Sequence, residues 1–160
     1  MTAKYSVLFV CMGNICRSPT AHGVFRQKVT DQGLAHLVEV DSAGTHNYHP
    51  NSPPDERSQV HAAKRGYDLS DLRARQIRAD DFERFDLILV MDMDNLALVQ
   101  DECPPKHLAK VRRLTEFCSK NDSPVVPDPY YGGSNGFDHV LDLVEDACDG
   151  LIRHANQKVR

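Results

Sequence analysis

The pattern of apolar and polar residues along the chain predicts alternating strands and helices. Compact apolar runs at 5–10, 37–40, 85–91 and 109–114 are typical of strands buried inside a sheet. Helical patterns separate these runs. Because strands that alternate with helices favour parallel pairing, the pattern predicts an α/β fold with helices on both faces of a parallel sheet.

The first helix follows the first strand directly. We expect it to begin with Ser18 as its capping residue, because serine commonly caps helices and Pro19 suits the first helical position. Ala21, Val24 and Phe25 repeat at helical spacing and are expected to face the core.

Three further helices are predicted. One begins within 53–56 and stops before Gly66, and another covers 92–100. The C-terminal helix has the clearest pattern, with one apolar stripe at helical spacing. The residues of this stripe are Phe137, Val140, Leu141, Val144, Ala147, Cys148, Leu151 and Ile152.

Composition and charge narrow the class of protein. The 160 residues suffice to bury a core and are expected to form a single domain spanning 1–160. A formal net charge of -4 gives no basic field for nucleic acid, and neither a membrane span nor a signal peptide is apparent. Five cysteines at irregular spacing do not resemble a disulfide framework. We therefore expect a cytoplasmic protein with neither nucleic acid nor membrane as a partner.

The polar stretch between the first strand and the first helix carries candidate chemistry. Cys11 ends the strand, and Arg17 follows six positions later across a turn that contains Gly13. Backbone N–H groups in such a turn form an anion-binding nest, and the next helix adds its positive end. Arg17 would hold two oxygens of an oxyanion, and the same field would favour the Cys11 thiolate. The pattern predicts a cysteine-dependent phosphatase site.

The spacing of Cys11 and Arg17 is weak by itself, because the two residue types pair by chance in many proteins. The alternative is an inert, reduced cysteine packed at the end of a strand. The buried strand before the loop and the helix start after it favour the catalytic interpretation.

A second candidate lies in the segment 125–133. Asp128 stands between two prolines that restrict its backbone, and two glycines follow. A carboxylate on a stiff loop suits a general acid, which must reach a leaving group without collapsing onto the arginine. Tyr130 and Tyr131 would offer flat surfaces beside it. Taken alone, the segment more often indicates an ordinary surface turn with a capping Asp.

Together the two segments resemble the low-molecular-weight protein tyrosine phosphatases. The motif V-C-x-G-N-I-C-R-S-P begins at Val10 and D-P-Y-Y-G-G begins at Asp128, with family-like segments at 41–44, 74–76 and 91–92 between them. The match covers nearly the whole chain. This resemblance implies a three-layer α/β/α sandwich around a four-stranded parallel sheet, with the site at the carboxyl ends of the strands.

The resemblance also implies roles for the matching residues. Cys11 is expected to be the nucleophile and Arg17 the phosphate clamp. Asp128 is expected to protonate the leaving phenolate and then to act as base toward water. The residues expected to contact substrate are Met12, Gly13, Asn14, Ile15, Cys16, Ser18, Tyr48, Tyr130 and Tyr131.

Other matching residues are expected to support the loop. The resemblance implies that Ser18 stabilises the Cys11 thiolate through its hydroxyl, and that Asn14 and Ser42 brace the loop by hydrogen bonds. One position departs from the family, because Leu72 stands where many members carry a histidine. Part of the support for the loop is therefore expected to be absent or supplied by another group.

Cys16 matches a family position whose thiol forms a reversible disulfide with the nucleophile. A loop that curls around an anion brings its two ends together, which would let Cys16 capture an oxidised Cys11. The alternative is that Cys16 merely packs beneath the loop.

No cofactor is expected. His46 and His49 lie three residues apart, but they have no nearby cysteine or carboxylate cluster and are expected to be solvent-exposed loop residues rather than metal ligands. The proposed chemistry uses Arg17 and backbone dipoles to neutralise phosphate charge, so we expect no metal site.

Three other functions compete with the phosphatase. A thiol-dependent arsenate reductase of the same fold needs a cysteine relay, for which Cys103, Cys118 and Cys148 show no close pair. A cysteine phosphocarrier domain or an idle phosphate-binding module would have no use for both a clamp and an acid. The expected partners are tyrosine-phosphorylated proteins, with phosphate-like oxyanions as inhibitors, and the expected state is a monomer or weak dimer.

Overall fold

A four-stranded parallel sheet forms the centre of the protein. The structure is a computed structural model that describes residues 4–130 and 132–159, with only the backbone of Ser134. The strands are β1 (Tyr5–Cys11), β2 (Val38–Gly44), β3 (Leu87–Val90) and β4 (Val111–Arg113). Their order in the sheet is β2-β1-β3-β4, and every pairing is parallel.

Helices cover both faces of this sheet. They are α1 (Arg17–Asp31), α2 (Glu56–Lys64), α3 (Asp81–Arg84), α4 (Met93–Glu102) and α5 (Ser134–Lys158), with 3-10 turns at Pro105–Lys110 and Leu114–Phe117. Apolar residues of α1 and α5 pack on one face, and those of α3 and α4 pack on the other. The predicted three-layer α/β/α sandwich is therefore confirmed.

The side chains of β1 divide between the two layers. Val7 and Phe9 pack against α1 and α5, whereas Leu8 and Val10 point to the opposite layer. All four are fully buried. Because both faces of the strand are covered, its sequence is a continuous apolar run instead of a polar–apolar alternation. Burial of one such side chain contributes roughly 1.5–3 kcal/mol, so β1 anchors the sheet firmly.

The second strand extends further than the sequence predicts. The apolar run ends near residue 40, but β2 continues to Gly44 because each of its residues pairs with β1. The polar residues Asp41 and Ser42 conceal this continuation in the sequence. The end of β2 consequently lies directly beside Cys11, which pairs with Gly44.

The prediction that Ser18 caps the first helix is wrong. The helix α1 begins at Arg17, and Cys16 occupies the capping position without a side-chain hydrogen bond. Pro19 is tolerated in the first turn because backbone N–H groups there have no acceptor within the helix. The Ser18 hydroxyl instead faces Cys11.

The predicted core faces of the first and last helices are confirmed. Ala21, Val24 and Phe25 of α1 are fully buried. The apolar stripe of α5 is buried as well, except that Ile152 is partly exposed. Within the described ranges, no helix combines the length and the apolar character needed to span a membrane.

Candidate active site

A cavity of about 400 Å³ opens where β1 leads into α1, at the carboxyl ends of the parallel strands. This is the position that the family resemblance implied for the site. His49 also lines the cavity, which no sequence pattern predicted, and Tyr131 lies outside the described residues. The predicted site residues that line the cavity are Cys11, Met12, Gly13, Ile15, Cys16, Arg17, Tyr48, Asp128 and Tyr130.

The loop 11–17 forms one wall of the cavity, and its carbonyl groups are bonded to the surrounding protein. The carbonyls of Met12 and Ile15 accept hydrogen bonds from the backbone N–H groups of His46 and Asp55, at 3.0 and 2.7 Å. Since C=O and N–H point in opposite directions across a trans peptide, the N–H groups that follow these carbonyls face the other way. With the start of α1, they can form an anion-binding nest.

Asn14 and Gly44 allow the tight shape of this loop. Asn14 adopts a left-handed backbone conformation with φ of 58°, and its side chain accepts from the Arg75 backbone N–H at 3.1 Å. A Cβ atom at Gly44 would lie 2.8 Å from the carbonyl oxygen of Met12. The end of β2 can therefore approach the loop only because residue 44 has no side chain.

The Cys11 thiol is buried beside Ser18. Its sulfur lies 3.1 Å from the Ser18 oxygen, which accepts a hydrogen bond from the Asn14 amide at 2.7 Å. The hydroxyl proton of Ser18 is then available to the sulfur, because the alternative acceptor, the Ala43 carbonyl, is 3.5 Å away. The Ser18 hydroxyl is therefore placed to donate a hydrogen bond to the Cys11 sulfur.

Arg17 is fixed by protein contacts along one edge of its guanidinium group. It is 1% exposed, and its Nη1 atom donates to Asp92 at 2.5 Å and to the Val126 carbonyl at 3.0 Å. Burial opposes its charge, but Cys11 and the carboxylates of Asp92 and Asp128 raise the pKa of Arg17. No role for Asp92 was predicted from the sequence, although this residue lies in the family-like segment 91–92, two positions after the end of β3.

Asp128 faces Arg17 across the cavity. Its Oδ2 atom is 3.7 Å from Arg17 Nη2, which is an ion pair too long for a hydrogen bond, and its Oδ1 atom accepts from the Tyr130 backbone N–H at 3.0 Å. The expectation that a stiff loop would keep this carboxylate away from the arginine is therefore only partly correct. The side chain is about one third exposed, so it can reach a ligand that enters from solvent.

Cys16 is a second buried thiol in the same loop. Desolvation, followed in size by the nearby Asp55 carboxylate, raises the pKa of Cys16 to about 12. Cys16 therefore stays protonated at neutral pH. The Cys11 sulfur is close enough to contribute to this shift, and both cysteines are free.

Aromatic rings form the wall of the cavity toward solvent. Tyr48 is 60% exposed and stacks on His46, with ring centroids 4.8 Å apart, while Tyr130 and Met12 are each 37% exposed. The prediction that His46 and His49 are solvent-exposed is wrong, because both are half-buried against this wall. Within residues 4–130 and 132–159, no cluster of three potential metal ligands occurs.

The support of the loop differs from that implied by the resemblance. Leu72 is buried in the apolar core, and its hydrocarbon side chain cannot form a hydrogen bond. Within the described structure, the Ser42 hydroxyl lies 2.9 Å from Nδ1 of the buried His22 and does not bond to the side chain of Asn14. The bond from Arg75 instead braces Asn14.

Replacement of His22 is expected to flatten the dependence of stability on pH. Burial lowers the pKa of His22 to about 4, so the unfolded chain binds a proton more readily than the native protein between about pH 6.5 and 4. Stability that is present above this window is lost as the pH falls through it. The free energy of unfolding, measured with urea, should fall between pH 7 and pH 4.5 by about 2 kcal/mol more in the wild type than in His22→Gln. An equal loss in both proteins would contradict this effect of burial.

The fold and the cavity together define a class of protein. The first strand of the parallel sheet ends in a buried thiol, and a buried arginine and a carboxylate lie around the same cavity. This is the arrangement of a cysteine-dependent phosphatase. Comparison with known proteins makes the assignment more specific.

The family model described as low molecular weight phosphotyrosine protein phosphatase matches residues 6–160. A putative low molecular weight protein-tyrosine-phosphatase of Synechocystis is 47% identical over 148 residues, covering 91% of this chain and 93% of that protein. The human low molecular weight phosphotyrosine protein phosphatase is 39% identical, covering 96% and 98%. The crystal structure of a protein tyrosine phosphatase from Entamoeba histolytica, with Hepes in its active site, matches with a TM-score of 0.94 and 39% identity over 97% and 99% of the two chains.

The chain therefore belongs to the low-molecular-weight phosphotyrosine protein phosphatase family. The resemblance based on the two sequence motifs is confirmed. Membership of this family identifies the protein as an enzyme of the protein-tyrosine-phosphatase class.

Proposed function

We propose that the protein hydrolyses phosphotyrosine and small aryl phosphates through a phosphocysteine at Cys11. The observation that supports this most strongly is the meeting of three groups at one cavity: the Cys11 thiol beside a hydroxyl donor, the buried Arg17 and the carboxyl of Asp128. The first two suit a bound phosphate, and the third suits a leaving phenolate.

In the first step, the Cys11 thiolate attacks the phosphorus atom. An S–P bond forms while the bond between phosphorus and the phenolic oxygen breaks, and Asp128 gives its proton to that oxygen. The guanidinium of Arg17 and the N–H groups of the loop hold the other phosphate oxygens as charge develops on them. Contact with Asp92 keeps Arg17 in the orientation that this step needs.

In the second step, a water molecule releases the phosphate. Asp128 is now a carboxylate and takes a proton from this water, whose oxygen attacks phosphorus. The S–P bond breaks, inorganic phosphate leaves, and the Cys11 thiolate is restored beside the Ser18 hydroxyl. Each turnover consumes one phosphate ester and one water.

The walls of the cavity favour an aryl phosphate as substrate. Tyr48 and Tyr130 both line the cavity and are partly exposed, so their rings can pack against the ring of phosphotyrosine. Phosphate-like oxyanions are proposed as inhibitors, consistent with the Hepes, a sulfonate, in the active site of the Entamoeba relative.

Steady release of phosphate from p-nitrophenyl phosphate in the presence of a metal chelator tests this function. Sustained turnover is expected, because Arg17 and backbone dipoles supply the positive charge that the reaction needs. A single turnover without further release would favour a phosphocarrier, and arsenate reduction without phosphatase activity would favour the reductase. Binding of phosphate without turnover would favour an idle module.

We also propose that Cys16 protects the nucleophile from irreversible oxidation. Peroxide would oxidise Cys11 to a sulfenic acid, whose sulfur Cys16 then attacks to form a disulfide and release water. A thiol reductant would reopen this disulfide. Because Cys16 stays protonated, its thiol reacts with peroxide more slowly than Cys11 and remains available to attack the sulfenic acid.

Recovery after oxidation tests the role of Cys16. Wild type treated with peroxide and then dithiothreitol is expected to regain most of its activity, whereas Cys16→Ser should regain much less, because its sulfenic acid has no thiol to capture it. Cys118→Ser, which removes a thiol far along the chain, serves as the control. Equal recovery in wild type and Cys16→Ser would make Cys16 only a packing residue.

The setting of the enzyme is part of the proposal. The chain is proposed to act as a single domain, a monomer or weak dimer, in the cytoplasm. Cysteines that are all free in the structure suit that reducing environment.

A further inference from the structure

Arg57 lies between the loop that carries Asp128 and the start of the last helix. Its guanidinium carbon is 5.3 Å from the centroid of the Tyr130 ring and 4.8 Å from that of Phe137. Both distances are within the range of cation–π attraction. Arg57 therefore touches the acid-bearing loop through Tyr130, two residues from the candidate general acid.

Asp55 holds Arg57 from the other side. The Asp55 carboxylate accepts from Nε and Nη2 of Arg57, each at 3.0 Å, and also from the Arg57 backbone N–H at 2.9 Å. Such a two-point contact fixes the plane of the guanidinium as well as its position. The Asp55 side chain is 12% exposed and that of Arg57 is 46% exposed, so the contact is covered on the aspartate side and open to solvent on the arginine side.

The backbone of Asp55 is bonded in turn to the loop 11–17. Its N–H group donates to the Ile15 carbonyl at 2.7 Å. A continuous set of contacts thus runs from Ile15 through Asp55 and Arg57 to Tyr130. At its far end, the Tyr130 backbone N–H donates to Asp128 Oδ1 at 3.0 Å.

We propose that Asp55 and Arg57 are positioning residues that tie the acid-bearing loop to the nucleophile-bearing loop. This inference rests on the proposed role of Asp128 as general acid. The contacts hold the Tyr130 ring, and through its backbone the Asp128 carboxyl, at a fixed distance from the bound phosphate. Neither Asp55 nor Arg57 exchanges a proton with the substrate, and Arg57 acts only through Asp128.

This role predicts a specific kinetic signature for Arg57→Ala. Because a misplaced acid matters most when the leaving group is poor, kcat/KM should fall about three- to tenfold on phenyl phosphate and less than about twofold on p-nitrophenyl phosphate. Arg57→Lys keeps the cation but loses the planar two-point contact, so its loss should be intermediate. Arg65→Ala is a matched control, since Arg65 directly follows the last residue of α2 and forms its ion pairs with Asp142 and Glu145 of α5.

A double-mutant cycle with Asp128→Ala decides whether Arg57 acts through the acid. If it does, Arg57→Ala should have almost no further effect once Asp128 has been removed. Equal losses from Arg57→Ala in both backgrounds, or the same loss for every leaving group, would overturn the inference while leaving Asp128 as the acid. If Asp128→Ala itself showed no dependence on the leaving group, the proposed function would fail instead. Thermal unfolding of each variant identifies any loss that is due to misfolding.

Discussion

Replacing Cys11 with Ser is expected to lower kcat by at least about 10³-fold. A serine hydroxyl is far harder to ionise than a thiol and is a poor nucleophile without a base. The Ser18 hydroxyl, at 3.1 Å from the sulfur, stabilises an anion but does not remove a proton from a neutral group. Steady-state assays with p-nitrophenyl phosphate measure the loss.

The same variant should still bind phosphate. The side chains that hold the oxyanion are unchanged in Cys11→Ser, and Arg17 keeps its contacts with Asp92 and Val126. Titration calorimetry with inorganic phosphate checks this, and Cys118→Ser is the control for loss of a thiol elsewhere. Substantial turnover by Cys11→Ser would exclude Cys11 as the nucleophile.

Asp128→Ala is expected to lower kcat/KM by about 10²–10⁴-fold on aryl phosphates with poor leaving groups. The loss should shrink as the phenol becomes more acidic, because a stable phenolate needs less protonation. A series of substituted phenyl phosphates measures this dependence on the leaving group.

A control carboxylate separates this effect from a general change in charge. Asp122 is exposed on the segment that leads to the acid-bearing loop, and Asp122→Ala should leave the leaving-group dependence unchanged. If Asp128→Ala lost the same factor on every substrate, Asp128 would be structural and another group would have to supply the proton.

The features of the fold and the site that could be predicted from the sequence are those that depend on residues close together in the chain. Cys11 and Arg17 are separated by a single turn between a strand and a helix, so their proximity could be predicted from the spacing together with the strand before it and the helix after it. Asp128 could be identified as a candidate because a proline lies on each side of it in the sequence. The sheet was predictable for the same reason, since β1 and β3 are buried on both faces and leave long apolar runs.

Contacts between distant segments could not be predicted in this way. Ser18 has the local preference of a capping residue, but its contact with the Cys11 sulfur prevails over that preference. Asp92 meets Arg17 across 75 positions of the chain, and His22 meets Ser42 across 20. No periodic pattern reports such pairs, because the sheet and its connections bring them together only in the folded protein.

The same reason explains why Arg57 escaped notice. In the sequence, Arg57 lies just after the predicted start of a helix. A charged residue at such a position is typical of a solvent-exposed helix face. The guanidinium group of Arg57 contacts the rings of Tyr130 and Phe137, which lie in a loop and a helix more than seventy positions later in the chain. Only the fold shows that Arg57 contacts both Asp55 and the ring of Tyr130.

Trapping of the covalent intermediate tests the central claim most directly. Wild-type protein mixed with excess p-nitrophenyl phosphate, quenched in acid within the burst of phenol release, is digested and its peptides are weighed by mass spectrometry. The mechanism predicts one added phosphoryl group on the peptide that contains Cys11, and no such adduct in Cys11→Ser. A burst of phenol accompanied by an unmodified Cys11, or by a phosphoryl group on another residue, would contradict it.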